Sequence, residues 1–395
     1  MIIEPKTRGF ICTTAHPVGC DENVRRMIKY VLENKCENAS MPKRVLVIGS
    51  STGYGLASRI AAAFGGGAAT VGVAFEKPAQ GARCASTGWY NTAAFDKYAS
   101  AHGLFCANIM GDAYSEAVKD EVCALIKREL GGIDMLVYSL AAPRRTMADG
   151  TTVSSVLKPV GKPYTGTSID LRTHKLSEVT LEPANDDEIA ATVKVMGGDD
   201  WQAWMKRLSS EGLLDDNFTT VAYSYVGPEL THAIYKDGTI GQAKADLKAA
   251  ADRIAACYGV RSLVSVNKAL VTQSSAAIPV VPLYISILFR EMKRLGTHEG
   301  VIEQMDRMMK KLYGGNTELD PDGLLRMDDY EMDSALQARI ADIWSKLNDD
   351  NVSEYADFNE YDSEFLKLFG FGVEGVDYGA DVSAELSCGH LTVVS

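Results

Sequence analysis

The chain has 395 residues, and its 46% of hydrophobic and 23% of charged residues are typical of a soluble globular protein with one large domain or two. A formal net charge of −12 argues against a general affinity for DNA or RNA, because phosphates repel an acidic surface, so no nucleic-acid partner is predicted. Eight scattered cysteines lack the spacing of a disulfide framework, which favours free thiols in a reducing compartment.

The N-terminal residues contain one cluster of metal-ligand types, Cys12, His16 and Cys20, spaced as C-x3-H-x3-C. No fourth ligand is nearby in sequence, and the spacing matches no common zinc module. A lead-in strand and turn is the better interpretation, and no metal is predicted. The opening residues MIIEPKTRGF do not resemble a secretory signal, because no basic segment precedes an apolar run.

Strand-like apolar runs alternate with amphipathic helical stretches along the chain. The predicted strands cover residues 44–48, 69–75, 104–109, 133–139, 219–225 and 261–267. The predicted helices cover residues 55–64, 92–101, 115–130, 186–213 and 241–257. This alternation predicts an α/β fold with a Rossmann-type, doubly wound parallel sheet.

Three regions depart from the alternation. Residues 151–184 are rich in proline and glycine and predict a β-hairpin excursion. Residues 269–289 carry no charge and are long enough to cross a bilayer, but their Thr-Gln-Ser-Ser run and two prolines favour a buried loop and core helix that can wall an apolar pocket. Beyond residue 314 the chain is acidic and helical. We therefore expect a main domain over residues 1–313 and a helical C-terminal cap over 314–395, packed on the same domain.

A glycine-rich turn follows the first predicted strand. Glycines between a strand and a helix let the backbone turn tightly and approach a pyrophosphate at the helix N-terminus. The G-x3-G-x-G spacing is that of short-chain dehydrogenases, and its position favours dinucleotide binding over a purely structural turn. The predicted cofactor-binding residues of this turn are Gly49, Ser50, Ser51, Thr52, Gly53 and Tyr54.

The ends of the next three strands add to this site. Glu76 follows the second strand, where a carboxylate can accept hydrogen bonds from the adenosine ribose and repel a 2′-phosphate, so NADH is predicted over NADPH. Asp112 follows the third strand and can reach the adenine amino group. Small residues follow the fourth strand, where the backbone passes the cofactor. The further cofactor-binding residues predicted here are Phe75, Glu76, Asp112, Ala113, Leu140 and Ala141.

A tyrosine and a lysine nine residues apart suggest a proton donor with a cationic partner. On one straight helix Tyr235 and Lys244 would lie on opposite faces. Thr239 and Gln242 fit a capping box, which places the helix start just after a bend at Asp237–Gly238 and Lys244 in the second helical turn. The bend lets both side chains converge on one site.

An ammonium group near a phenol favours the phenolate, so Lys244 is predicted to lower the pKa of Tyr235 and to hold the cofactor ribose as well. Tyr225 ends the fifth strand and faces the same crevice. The alternative is a core tyrosine and a solvated lysine, which the spacing alone would favour. The dinucleotide signals make Tyr235 and Lys244 the predicted catalytic residues.

These residues resemble the family of trans-2-enoyl-CoA reductases and FabV-type enoyl-acyl-carrier-protein reductases, which are enlarged relatives of the short-chain dehydrogenases with a Tyr-x8-Lys active site. The resemblance extends over nearly the whole chain. The matching stretches are RGFICTTAHPVGC, VLVIGSSTGYGLASRIAAAFG, GWYN, GDA, VYSLAAPRR, TVKVMGGDDW, AYSYVGPE, residues 235–244, NKALVTQSSAAIPVVPLY, THEGVIEQM and FGFGVEGVDY.

The resemblance implies a cytoplasmic, NADH-dependent enzyme of fatty acid synthesis that saturates the C2–C3 double bond of an enoyl thioester on CoA or acyl-carrier protein. It implies that Tyr235 hydrogen-bonds the thioester oxygen as enolate charge develops, and that Tyr225 contacts the substrate. Leu270, Val271 and Thr272 are implied to bind the nicotinamide amide through their backbone. The family's C-terminal segment has been described as flavin-binding, but it lacks a glycine-rich signal here, and no flavin is predicted.

Two alternatives stay open at this point. A carbonyl reductase would use the same tyrosine and lysine, although the apolar stretch at 276–289 favours an enoyl substrate. A non-catalytic NADH-sensing protein would have no need of Tyr235 or Lys244. We also expect no integral membrane segment and, because no repeat or heptad pattern invites pairing, a monomer.

Overall fold

A parallel sheet lies at the centre of the molecule and positions the other elements. The computed structural model describes residues 1–8, 11–35, 40–140, 142–315 and 317–394, so the predicted cofactor residue Ala141 lies outside the described residues. The strands are β1 (Thr7–Arg8), β2 (Ile11–Cys12), β3 (Arg44–Ile48), β4 (Ala69–Ala74), β5 (Cys106–Met110), β6 (Ile133–Tyr138), β7 (Arg144–Thr146), β8 (Thr152–Ser154), β9 (Tyr164–Asp170), β10 (Lys175–Leu181), β11 (Leu214–Ser224), β12 (Arg261–Val266), β13 (Leu325–Arg326) and β14 (Leu391–Val393).

The helices lie mainly between these strands. They are α1 (Pro17–Glu33), α2 (Gly53–Ile60), α3 (Thr87–Ala101), α4 (Glu116–Glu129), α5 (Asp186–Met196), α6 (Asp199–Ser210), α7 (Thr239–Tyr258), α8 (Gln273–Ala276), α9 (Val281–Leu295), α10 (Val301–Tyr313), α11 (Ser334–Trp344), α12 (Val352–Tyr355) and α13 (Phe358–Lys367). A π-helical turn over Ala61–Gly65 continues α2, and a short 3-10 turn covers Glu229–Thr231.

Within the described ranges, eight strands form the main sheet in the order β13-β12-β11-β6-β3-β4-β5-β14, and all neighbouring pairs are parallel. The chain leaves β3 toward β4 on one side and returns to β6 on the other, so the strand order reverses between β3 and β6. In doubly wound folds the crevice beyond the carboxyl ends of such strands binds the ligand. The predicted Rossmann-type fold is confirmed.

Apolar layers cover both faces of the sheet. On one face the buried side chains of α1, α2 and α10 pack together, and on the other those of α4, α6 and α7 do so. Strands buried on both faces need nearly continuous apolar sequence, which explains runs such as RVLVI in β3. Burial of this kind is the main favourable contribution to folding.

The prediction of one helix over residues 186–213 is wrong, because the helix breaks at Gly197–Gly198. Gly197 is extended, and the backbone N–H of Gly198 donates to Asp246 Oδ2 of α7 at 2.9 Å. A side chain from another helix therefore stabilises the break, which the local pattern could not reveal.

The predicted excursion over residues 151–184 contains the antiparallel pair β9 and β10, and it also contains β8, which pairs with β7 just before the excursion. The uncharged residues 269–289 form α8 and the first part of α9, which is almost entirely buried. Among the described residues, no helix has both the length and the apolar character needed to cross a bilayer.

The C-terminal residues pack on the main core. Apolar side chains of α11 and α13 belong to the same buried cluster as α9. The chain then returns to the sheet as β14, which pairs with β5 and was not predicted. The proposed division of the chain at residue 314 stays a prediction.

The Cys12–His16–Cys20 cluster lies where the N-terminal segment meets α1. His16 caps this helix, with Nδ1 accepting a hydrogen bond from the Gly19 N–H at 3.2 Å. Its ring lies edge-on to Tyr378, with 4.8 Å between the ring centroids. Buried Cys12 belongs to β2 and buried Cys20 to α1.

Two glycines near the C-terminus provide a matched test of this packing. Gly370 and Gly372 have φ angles of +77° and +69°, so alanine is strained at both, by about 1–2 kcal/mol. Only at Gly370 would an added Cβ meet backbone, 2.6 Å from Cys20 N. We predict that Gly370→Ala lowers the free energy of unfolding well beyond the loss from Gly372→Ala, as measured by urea denaturation. Equal losses would contradict the close packing of this turn on α1.

Candidate functional site

The glycine-rich turn after β3 forms the base of the site. Gly49 has a φ of +83°, and a Cβ there would lie 2.2 Å from the Ser139 carbonyl oxygen, so only glycine fits where β3 and β6 diverge. Gly53 has a φ of +53° and starts α2, and a Cβ there would meet nothing within 4 Å. The turn is therefore tight on its inner side and open beside the start of α2, where backbone N–H groups can face an anion.

Hydrogen bonds to β4 and α3 fix the rest of this turn. The backbone N–H groups of Gly49 and Ser50 both donate to the Val73 carbonyl oxygen of β4, at 2.9 and 3.0 Å. The Ser51 carbonyl oxygen accepts a hydrogen bond from Asn91 of α3 at 3.1 Å. Thr52 is exposed at the N-cap of α2. The predicted residues 49–54 thus form the loop after β3 and the first two residues of α2, at the carboxyl edge of the sheet.

Phe75 and Glu76 lie beside that loop. The Ser51 hydroxyl donates to Glu76 Oε1 at 2.6 Å, which orients the carboxylate. A Cβ at Gly88 would lie 2.0 Å from the same oxygen, so Glu76 packs against the start of α3 where only glycine leaves room. Phe75 is 76% exposed, an unusual state for a phenylalanine at a strand end and one that leaves its ring face open.

The other predicted adenosine-side residues lie along the same edge. Asp112 Oδ1 accepts the Tyr114 N–H at 2.9 Å, which fixes the carboxylate in the loop after β5, and Ala113 beside it is buried. Leu140 follows β6 and lines a cavity of about 110 Å³ together with Tyr54 and Lys244. A larger cleft of about 450 Å³ near the N-terminus is lined by none of the predicted site residues.

The backbone of residues 270–272 is only partly free. The Thr272 N–H donates to the Ser275 hydroxyl at 2.8 Å, and the Leu270 carbonyl oxygen accepts from that hydroxyl at 2.9 Å. Within the described residues Val271 has no backbone hydrogen bond, so of the three it alone keeps both its N–H and its carbonyl oxygen open for a carboxamide.

Tyr225 and Tyr235 meet at the carboxyl end of β11. Their rings pack edge to face, with 4.8 Å between centroids. The Tyr225 hydroxyl donates to Glu331 Oε1 at 3.0 Å, whereas the Tyr235 hydroxyl has no hydrogen-bond partner within the described parts of the chain. A hydroxyl has one hydrogen to donate, so Tyr235 is the member of the pair with a free donor.

Lys244 approaches the same strand end from α7. Its Nζ donates to the Tyr223 carbonyl oxygen at 2.9 Å, and burial lowers its pKa to about 8. Among the described contacts no hydrogen bond joins Lys244 to Tyr235. Burial, then Glu331 and Tyr361, raise the pKa of Tyr235, so the prediction that Lys244 lowers this pKa is wrong in this structure.

The structure has the predicted bend between Tyr235 and Lys244, but it lacks the predicted capping box at the start of α7. As predicted, α7 begins directly after Gly238, but Gly238 is the N-cap and no side chain caps the helix. The Thr239 hydroxyl instead donates to the Val156 carbonyl oxygen at 2.6 Å. The capping box is therefore wrong, because Thr239 ties the helix start to the segment after β8.

Glu331 is the functional candidate that the sequence did not reveal. It is fully buried and accepts three hydrogen bonds: from Tyr225 at 3.0 Å, from Tyr284 of α9 at 2.8 Å and from the Ala269 N–H at 2.7 Å. It therefore links the tyrosine pair to the segment that leads into residues 270–272. No local signal marks it, since it lies in an acidic run more than a hundred residues from Tyr225.

Lys268 lies beside this carboxylate. It is buried, its Nζ donates to the Ala269 carbonyl oxygen at 3.0 Å, and it lies 4.4 Å from the ring centroid of Phe289. Burial lowers its pKa to about 8, while Glu331 opposes that shift. The Tyr54 hydroxyl donates to the Lys268 carbonyl oxygen at 2.6 Å, which joins the glycine-rich turn to the same network.

The start of α9 is strained. Val280 has a φ of +73°, which a β-branched residue rarely adopts, and it is fully buried. Its N–H donates to the Ser168 hydroxyl of β9 at 3.3 Å, so the hairpin helps to hold it. The helix that contains the second half of the predicted pocket wall thus begins at a conformation that the surrounding structure imposes.

The fold, the glycine turn and the tyrosine–lysine arrangement define a Rossmann-type, dinucleotide-dependent reductase. Family models match residues 2–81 (NAD(P)H binding domain of trans-2-enoyl-CoA reductase), 83–313 (trans-2-enoyl-CoA reductase catalytic region) and 319–382 (enoyl reductase FAD binding domain). The chain belongs to the trans-2-enoyl-CoA reductase family.

Individual relatives match over almost their full length. The NADH trans-2-enoyl-CoA reductase of Ruminiclostridium cellulolyticum is 52% identical over 98% of this chain and 99% of its own. The NADH enoyl-acyl-carrier-protein reductase of Serratia proteamaculans is 53% identical over 98% of both chains. Among solved structures, that of Treponema denticola trans-2-enoyl-CoA reductase in complex with NAD superimposes on this chain with a TM-score of 0.94. The two sequences are 46% identical, and the match covers 98% of both chains.

The matched FAD model raises the question of whether residues 319–382 fit a flavin. The described helices of this segment bury their apolar faces against α9. Its glycine turn packs against the start of α1, since a Cβ at Gly370 would lie 2.6 Å from His16 O and Cys20 N. Gly370 therefore serves the packing of this turn on α1 and is not placed to cradle a phosphate, and no step below is assigned to a flavin.

The lowered pKa of Lys244 leads to a stability prediction. Between about pH 8 and pH 10.5 this lysine is protonated in the unfolded chain but neutral in the folded protein. The buried charge therefore lowers the free energy of unfolding by its full amount below pH 8, and the effect disappears above pH 10.5. Lys244→Met should raise the free energy of unfolding at pH 7 by about 2 kcal/mol, because the pKa difference corresponds to roughly 3 kcal/mol and the lost hydrogen bond to the Tyr223 carbonyl oxygen offsets about 1 kcal/mol of it. The variant should also bind NADH more weakly. Urea denaturation and NADH titration measure both.

The control for that experiment is Lys236→Met, which removes an equal charge from an exposed position in the same segment. Lys268 has a similarly lowered pKa, so part of the pH dependence should remain in Lys244→Met. A variant less stable than wild type at pH 7 would contradict the argument.

Glu331→Gln tests the buried carboxylate. The amide cannot accept all three hydrogen bonds, so we predict that kcat falls about tenfold, equivalent to one lost hydrogen bond to a charged group, while the protein still folds. The matched control is Tyr284→Phe, which removes a donor from the same oxygen without touching Tyr225 and should change kcat much less. Wild-type turnover in Glu331→Gln would show that the carboxylate has no role at the site.

Proposed function

We propose that this protein catalyses the NADH-dependent reduction of the C2–C3 double bond of trans-2-enoyl thioesters carried by CoA or acyl-carrier protein, as a step of fatty acid synthesis. The names of its relatives include both carriers. The observation that carries the proposal is the Tyr235 hydroxyl: a free donor beside Tyr225 at the carboxyl end of β11, on a side chain that packs against the apolar cluster around α9.

The glycine-turn residues fit NADH. The open side of Gly53 and the start of α2 offer the pyrophosphate a place among backbone N–H groups. Glu76, already oriented by Ser51, keeps its Oε2 for the adenosine ribose, and the exposed ring of Phe75 offers a face for the adenine. Asp112, Ala113, Leu140 and the backbone of Val271 complete the path to the nicotinamide. When bound, NADH supplies the hydride that adds to C3.

Tyr235 acts on the oxygen of the thioester. Its raised pKa keeps the phenol protonated at physiological pH, so it donates a hydrogen bond rather than repelling charge. As enolate charge develops on the oxygen, that hydrogen bond strengthens, which lowers the barrier rather than merely tightening binding. A proton then reaches C2.

Tyr225 and Lys244 have supporting roles. Because Tyr225 gives its hydrogen to Glu331, its own oxygen is left to accept, and its ring fixes the orientation of Tyr235. It therefore contacts the substrate chiefly by packing. Lys244 has two further hydrogens beyond the one donated to Tyr223, and these suit the hydroxyls of the nicotinamide ribose. We further propose that the enzyme is a cytoplasmic monomer.

Purified protein mixed with NADH and crotonyl-CoA tests the activity directly. NADH fluorescence should decay with formation of the saturated thioester, and matched CoA and carrier-protein substrates of several chain lengths should then rank the carriers by kcat/KM. Oxidation of NADH by a simple ketone, with none by the enoyl thioester, would identify a carbonyl reductase instead.

Replacing each tyrosine separates their roles. Tyr235→Phe removes a donor aimed at developing charge, so we predict that kcat falls about 10²–10³-fold while NADH affinity is retained. Tyr225→Phe should be milder and act partly on KM. Steady-state kinetics with NADH titration distinguish the two, and a nearly inactive Tyr225→Phe beside an active Tyr235→Phe would reverse the assignment.

Cofactor choice depends on Glu76. A carboxylate at the adenosine ribose repels a 2′-phosphate, so the wild type should strongly prefer NADH. Glu76→Ala should raise the kcat/KM for NADPH relative to that for NADH. The comparison is made with Glu4→Ala, an exposed acidic residue outside the site, and equal use of both cofactors by the wild type would contradict the role of Glu76.

A further inference from the structure

A second group of reactive side chains lies at the opposite, amino-terminal end of β5. Asp96 comes from α3, Cys106 is the first residue of β5, and His390 directly precedes β14. Their ligand atoms all lie within 4.8 Å of one another. Cys106 Sγ lies 3.3 Å from Asp96 Oδ1 and 3.9 Å from His390 Nδ1, and the latter two atoms are 2.8 Å apart.

These separations bracket those of a tetrahedral zinc site: Asp96 and His390 would move apart from hydrogen-bond distance, and Cys106 and His390 would move closer. With bonds of roughly 2.0–2.3 Å, two ligand atoms of zinc lie about 3.3–3.6 Å apart, so only small side-chain adjustments are needed. One thiolate, one imidazole and one carboxylate form a donor set that zinc accepts. Asp96 and Cys106 are buried on a helix and a strand, which preorganises two of the three donors.

A second thiol lies close by. Cys388 precedes His390 by two residues, and its Sγ accepts a hydrogen bond from Asn108 Nδ2 at 3.3 Å. The same nitrogen lies 3.3 Å from Asp96 Oδ1. Asn108 thus connects the thiol to the carboxylate. Cys388 Sγ is not one of the three ligand atoms that lie within 4.8 Å of one another, so its side chain would have to rotate toward them to supply a fourth donor.

The charge around the cluster suits an anionic complex. Arg59 is fully buried, and its acceptors are all neutral: Thr70, the Ala107 carbonyl oxygen and Asn108 Oδ1, the last at 2.6 Å. A Zn²⁺ ion with one carboxylate, two thiolates and a neutral imidazole carries a net charge of −1. Arg59 would balance that charge through Asn108, as outer ligands of metal sites commonly do.

We propose that Asp96, Cys106 and His390 bind one Zn²⁺ ion, with Cys388 as its fourth ligand. The two thiols release their protons to solvent as they bind the metal, and no oxidation or reduction takes place. The ion cross-links α3 and β5 to the C-terminal strand β14, an edge strand of only three residues. The site is structural and separate from the reductase centre.

Zinc alone is the probe for the test, with the full-length protein dialysed against a chelator and then kept reduced. Equilibrium dialysis should give one Zn²⁺ per chain, a higher melting temperature than the dialysed protein, and, with Co²⁺ in place of Zn²⁺, the intense visible absorption of a tetrahedral thiolate site. His390→Ala and Cys106→Ser should weaken zinc binding at least about tenfold. His390 is 58% exposed, so its replacement leaves the core intact.

The matched controls are His102→Ala and Cys257→Ser, an exposed histidine and an exposed cysteine outside the cluster, which should bind zinc like the wild type. Circular dichroism and NADH titration establish that each variant is folded. The proposal is overturned if the wild type binds no zinc, if His390→Ala binds it equally well, or if Cys106 and Cys388 form a disulfide in its place under reducing dialysis.

Discussion

The buried carboxylate of Glu331 is the constraint on which the site depends. It accepts the hydrogen of Tyr225, holds Tyr284 of α9 and binds the Ala269 N–H that precedes residues 270–272. A buried acid with good partners is costly to disturb, because losing one partner leaves a desolvated group unpaired. Through it, residues from β11, α9 and the C-terminal segment take one arrangement, which leaves Tyr235 with the free hydroxyl.

The positions of the predicted nucleotide-binding residues could be inferred from the sequence because the signals are local, and their role in binding stays a prediction. Each of Gly49, Glu76 and Asp112 lies just past the carboxyl end of its strand, and parallel strands bring such residues to one edge. Apolar runs long enough to be buried on both faces likewise marked the six inner strands. Family membership and the doubly wound fold then agree with what those positions indicated.

The substrate half could not be predicted in the same way, because its contacts are between distant residues. Glu331 meets Tyr225 across 106 positions, and Thr239 bonds to Val156 rather than capping its own helix. Lys244 was predicted to act on Tyr235, but its Nζ donates to the Tyr223 carbonyl oxygen. Sequence spacing does not reveal which oxygen a long, flexible amine reaches. Strand β14 has only three residues, which is too short for an apolar pattern to predict a strand.

The central claim is that Glu331 retains the Tyr225 hydrogen, so that Tyr235 alone donates to the thioester oxygen. A double-mutant cycle on kcat with crotonyl-CoA tests this most directly, using Tyr235→Phe, Glu331→Gln and the combined variant. In the Glu331→Gln background the neutral amide oxygen holds the Tyr225 hydrogen less strongly than the carboxylate does. Tyr225 can then donate to the substrate, so the penalty of Tyr235→Phe should shrink by about tenfold relative to its penalty in the wild type. An equal penalty in both backgrounds would contradict the claim.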